Sequence, residues 1–126
     1  MRAALIGFLI LAAADPARAG EADVLEASAT CSPESVCTFS VAVRHDDEGW
    51  DHYADRWQVL SMDGEILATR ILRHPHVEEQ PFTRSLDKLE LPEGSTSVRI
   101  RAGDSVHGLG GAEVLVPLPK PGSPPP

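Results

Sequence analysis

The sequence predicts an all-β, antiparallel β-sandwich of about seven short strands. Apolar and polar residues alternate with period two over short runs, the pattern of strands with one buried face. Clusters of Gly, Pro, Asp and Ser separate those runs at even intervals. No apolar repeat at helical spacing lasts beyond two turns.

Residues 1–19 read as a signal peptide. Met1-Arg2 is a short positive start, Ala3 to Ala14 is apolar, and Ala17-Arg18-Ala19 places small residues where signal peptidase needs them. The apolar run is too short to cross a bilayer, and Asp15 interrupts it. Cleavage before Gly20 is expected, leaving a periplasmic or secreted domain over 20–117 and a proline-rich, flexible tail over 118–126.

The first strand is expected from Asp23 to Cys31, with Leu25, Ala27, Ala29 and Cys31 on one face. The second runs Cys37 to His45, with Cys37, Phe39, Val41 and Val43 inward. Cys31 and Cys37 flank a short turn-like stretch, and in an exported protein they should form a disulfide. The third strand, Tyr53 to Ser61, points Trp57 and Val59 inward. Met62-Asp63-Gly64-Glu65 is a hairpin turn leading into the fourth, Ile66 to Leu72. An irregular stretch holding Pro75 and Pro81 precedes the fifth, Arg84 to Leu91. The sixth, Ser97 to Ala102, points Val98, Ile100 and Ala102 inward. A glycine-rich loop, Gly103 to Gly111, leads to the last, Ala112 to Val116.

Seven such strands around one central Trp describe an immunoglobulin-like sandwich. Leu91-Pro92-Glu93-Gly94 and Ser97-Val98-Arg99-Ile100-Arg101-Ala102 resemble the last turn and the following strand of fibronectin type III domains. Thr96 or Ser97 stands where that family has a tyrosine. The blocks HDDEGWDHYADRW, RHPHVEEQPFTRSL and RAGDSVHG also resemble small exported bacterial proteins, a likeness that implies export and no activity.

The formal charge is −8, so the chain has no electrostatic case for nucleic acid or anionic lipid and should attract cations. Its five histidines lie in three short stretches: His45 and His52, His74 and His76, and His107. The expected topology brings the three loops that hold them to one end. Pro75 favours an extended backbone at His74, so His74 and His76 can face one ion. Imidazoles beside carboxylates are the donors of copper and zinc sites. All five histidines are therefore candidate ligands, with Asp47, Asp51 and Asp104 as candidate outer-shell groups. Trp50 and Tyr53 are expected to cap the core, and Arg44, Arg70, Arg73 and Arg84 to pair with carboxylates.

His74-Pro75, His52-Tyr53 and Asp104-Ser105-Val106-His107-Gly108 look similar to iron-site elements of superoxide reductases. Asp104 stands where that chemistry needs an axial thiolate, and the first two elements are in reversed order. No phosphate-binding loop, metalloprotease helix or serine triad order is present. The expectation is a non-catalytic, exported domain that binds copper or zinc. The competing expectation is a protein-interaction module using the same three loops, with its histidines structural or pH-sensing.

Overall fold

The computed structural model describes residues 20–119. The expected signal peptide and residues 120–126 of the expected tail lie outside them. Eight strands follow in order: β1 (Asp23–Cys31), β2 (Val36–Arg44), β3 (Ala54–Leu60), β4 (Ile66–Ile71), β5 (Phe82–Glu90), β6 (Ser97–Asp104), β7 (Gly108–Leu109) and β8 (Val114–Pro117). They form two antiparallel sheets. One has the order β1-β2-β5; in the other β4-β3-β6 run side by side, and both β7 and β8 pair with β6.

The sheets join through their inward-facing side chains. Phe39, Val41 and Val43 of β2 meet Trp57 and Val59 of β3 and Val98, Ile100 and Ala102 of β6, all fully buried or nearly so. Phe82 and Leu72 close the core from the β5 start and the β4 end. Each fully buried Val, Ile, Leu or Phe side chain contributes about 1.5–3 kcal/mol. The alternation read in the sequence is thus the inner face of the sandwich.

Two local features depart from expectation. Leu25 is exposed while Val24 is buried, because a β-bulge between Val24 and Glu26 shifts the register of β1 on β2. The extra residue reverses the parity of everything before it. Ala27, Ala29 and Cys31 still pack on the core. The glycine-rich stretch is not all loop either: β6 runs on to Asp104, and β7 returns against it. The Asp104 Oδ1 accepts the backbone N–H groups of Val106 and His107 at 2.8 and 2.7 Å, which folds the turn tightly enough for a hairpin.

Cys31 and Cys37 are a register pair in β1 and β2 and are disulfide-bonded. At the opposite end, the start of β1, the end of β2, the start of β3, the end of β4, the start of β5 and the β6–β7 turn lie together. The segments 20–22, 45–53, 72–81 and 105–107 therefore crowd one end of the sandwich.

Candidate metal centre

His45 leaves the end of β2 pointing inward. It is 1% exposed, in phase with the buried Val41 and Val43. Its Nδ1 faces Asp47 Oδ1 at 2.5 Å, and its Nε2 faces the Gly20 carbonyl oxygen at 2.9 Å and Asp104 Oδ2 at 3.6 Å. His52 approaches from the far side of the same loop. Its Nε2 lies 3.2 Å from the same Gly20 oxygen and 3.4 Å from Asp104 Oδ1, and its Nδ1 faces Glu48 Oε1 at 3.4 Å. Both rings thus turn Nε2 towards Asp104 and Nδ1 towards a carboxylate. A carboxylate that accepts a hydrogen bond from Nδ1–H fixes the tautomer whose Nε2 lone pair can bind a metal. In the structure as it stands, each Nε2 instead donates to the Gly20 carbonyl oxygen.

The donor atoms of His45, His52 and Asp104 lie within 4.8 Å of one another. Donors about 2.1 Å from a tetrahedral ion stand about 3.4 Å apart. Each Nε2 stands at about that distance from one carboxylate oxygen, His52 from Oδ1 at 3.4 Å and His45 from Oδ2 at 3.6 Å, so Asp104 turns a different oxygen to each ring. Two imidazoles and a carboxylate suit Zn(II) and Cu(II), and are also the donor set of many Fe(II) sites.

The electrostatics favour a cation. Burial alone would raise the Asp104 pKa, but the N–H groups of His107 and Val106, the His107 side chain and His45 outweigh it and hold the carboxyl below its ordinary range. Asp104 is therefore anionic at neutral pH. Burial draws the His52 pKa down, but Glu48, the Gly20 carbonyl and Asp104 together leave it raised. A proton on that ring would compete with a metal.

His107 stands beside this group rather than in it. Its Nδ1 contacts Asp104 at 3.1 and 3.2 Å, and its ring centroid is 4.9 Å from that of His52. It orients the carboxylate. Asp104, expected as an outer-shell group, sits among the candidate donors because β6 extends to it.

His74 and His76 form a separate pair, with ring centroids 4.9 Å apart. His76 is buried and stacks on Phe82 at 4.0 Å, while His74 is exposed. The Arg84 Nη2 donates to His76 Nε2 at 2.8 Å. Arg70, Arg73 and Arg84 line the same concavity as these two rings, so a cation there would meet guanidinium groups. Asp51 is exposed and takes no part in either group.

The two groups are joined through Asp47, whose side chain is wholly buried. Its Oδ1 also accepts the Ala54 N–H at 3.0 Å, and its Oδ2 accepts the His76 N–H at 2.6 Å. Gln80 adds a second tie: its Oε1 accepts the His45 N–H at 3.0 Å and its Nε2 donates to the His76 carbonyl at 2.9 Å. Neither Gln80 nor Gly20 stands out in the sequence as a residue of this site. No local pattern marks Gln80. Gly20 acts through its main-chain oxygen, which every residue carries.

Other expectations at this end need correction. Trp50 does not cap the core; it is 66% exposed and meets Tyr53 edge to face. Arg84 reaches Glu79 at 3.3 Å, but Arg70 donates to the Ser85 and Ile71 carbonyls instead of a carboxylate.

No family model and no solved structure matches the chain. A protein of Halomicrobium mukohataei described as “Putative lipoprotein” is 43% identical over 96 residues, which cover 76% of this chain and 47% of that protein. The chain spans about half the length of that relative. Among the described residues, no helix is long and apolar enough to cross a membrane.

Proposed function

We propose that this chain is an exported, non-catalytic, immunoglobulin-like domain that binds a transition metal, copper or zinc, through His45, His52 and Asp104. The observation that carries the reading is the orientation of the two rings: Nε2 inward to Asp104, Nδ1 outward to Asp47 and Glu48. That is the donor and outer-shell arrangement a metal-binding histidine uses. Three further observations support it. Asp104 stays ionised, the chain is strongly acidic, and the similar protein's lipoprotein description agrees with export. Placing β1, β2 and β5 in one sheet, opposite β4, β3, β6 and β8, supports the immunoglobulin-like part.

The test is calorimetric titration of exported protein, purified without a histidine tag, with Zn(II) and with Cu(II). One ion per chain is expected. The double variant His52→Ala/Asp104→Asn should lose it with an unchanged circular dichroism spectrum, and His74→Ala should keep it. Absence of stoichiometric binding by the wild-type protein at micromolar metal would falsify the reading.

One observation favours a second reading, an interaction module. Trp50, Val77 and Val106 are 66, 55 and 58% exposed, and each belongs to one of the histidine-bearing segments at the same end. Partner affinity that depends on pH in the presence of a chelator would favour this reading over metal binding.

A further inference from the structure

The oxygen on which His45 and His52 converge belongs to the main chain of Gly20. Gly20 is also the residue that follows Ala17-Arg18-Ala19, the small-x-small pattern read by signal peptidase. The two facts have separate origins, one in tertiary packing and one in leader chemistry, and they meet at one residue. Cleavage there adds water across the Ala19–Gly20 amide. It leaves a carboxylate on Ala19 and a free amine on Gly20.

We infer that the amine released at Gly20 is itself a ligand of the metal centre, closing a five-membered chelate with the Gly20 carbonyl oxygen beside His45 and His52. Export would then complete the site. The inference rests on the metal-binding reading above and on cleavage before Gly20.

Covalent geometry keeps the amine close to the site. The nitrogen of any residue lies within about 3.6 Å of its own carbonyl oxygen. The Gly20 oxygen is 2.9 and 3.2 Å from the two Nε2 atoms. The lone pair of an amide nitrogen is delocalised into its carbonyl, which makes it a poor donor; that of an amine is free. Cleavage thus turns a site of two imidazoles and a carboxylate into one with a third nitrogen. Tetragonal nitrogen and oxygen donors are what Cu(II) prefers.

Packing and backbone conformation together explain why this residue is glycine. A Cβ at position 20 would stand 2.7 Å from His107 Cε1, well inside contact distance. The His107 ring could give way, but the backbone here has φ +89°, a conformation that glycine adopts without strain.

The experiment uses the full chain, exported and purified without a tag. Intact mass should show a chain that begins at Gly20; a chain beginning elsewhere overturns the inference. An N-hydroxysuccinimide ester, which acylates free amines, is then applied at neutral pH with and without Cu(II), and peptide mass locates the label. Cu(II) should protect the Gly20 nitrogen, with Lys88 as the internal control. Equal labelling in both conditions overturns the inference. A chain with one alanine inserted between Ala19 and Gly20 should process to a displaced amine. Its Cu(II) affinity should fall by more than the roughly 10–100-fold that an outer-shell change costs. Equal affinity would remove the amine from the ligand set and leave the metal centre standing. If neither chain binds Cu(II) or Zn(II), the metal-binding reading itself fails, and the inference with it.

Discussion

Asp47 ties three segments with one carboxylate: the His45 ring, the Ala54 N–H at the start of β3 and the His76 N–H. Replacing it with alanine strands three buried polar groups at once. Leaving even one such group unsatisfied costs about 1–3 kcal/mol. Asp47→Ala should therefore lower the free energy of unfolding by on the order of 3 kcal/mol or more, measured by urea denaturation. A loss smaller than about 1 kcal/mol would show that the tie is unimportant.

His76 carries a pH signature of its own. Burial lowers its pKa from the usual 6.5, and Arg84 and His74 push the same way, against Asp47 and Glu79. The unfolded chain therefore binds more protons at this ring than the folded one. Its contribution to stability is complete above pH 6.5 and is lost as pH falls through the lower folded value. In metal-free buffer with chelator, the urea midpoint should decline as pH falls below 6.5, and less steeply in His76→Gln. An identical decline in the variant would assign it to other groups.

At the scale of elements, the strands are regular and the site is built from their ends. β2 obeys its alternation from Cys37 to Val43, and the same phase carries His45 inward one step beyond the strand. β1 breaks its alternation at one bulge, and no single residue marks where. The Cys31–Cys37 bond closes the β1–β2 hairpin at the end remote from the histidines. Closing so short a loop contributes roughly 2–3 kcal/mol in the chain-entropy account. Cys31→Ser/Cys37→Ser should lower stability by about that amount and leave Zn(II) affinity unchanged. A large change in affinity would mean that the hairpin positions the site after all.

For the whole molecule, the arrangement of candidate ligands links metal binding to folding. His45 follows β2, His52 precedes β3 and Asp104 ends β6, so the two sheets each contribute to one site. A site assembled in this way exists only in the folded state. At a free concentration one hundred times its dissociation constant, an ion held there should add about 2.7 kcal/mol. Differential scanning calorimetry with Zn(II), then after chelation, should show a higher melting temperature with metal. His52→Ala/Asp104→Asn should abolish the difference. A melting temperature indifferent to metal in the wild-type protein would count against a site bridging the sheets.

The sequence alone determined seven of the eight described strands, the inward residues of β2, β3 and β6, the Cys31–Cys37 pairing and the loops that hold the histidines. These follow from local rules: period-two alternation, turn chemistry, and the hairpin that brings two cysteines opposite each other. Which histidines meet was a tertiary decision. The chain places His74 and His76 two residues apart, as a shared site would need, yet packing stacks His76 on Phe82 beneath Arg84. It joins instead His45, His52 and Asp104, drawn from both sheets. Donor convergence depends on distances between elements far apart along the chain, and no local pattern encodes them. The Gly20 oxygen is the clearest case: a main-chain atom, the same in every residue, made distinctive only by where the fold puts it.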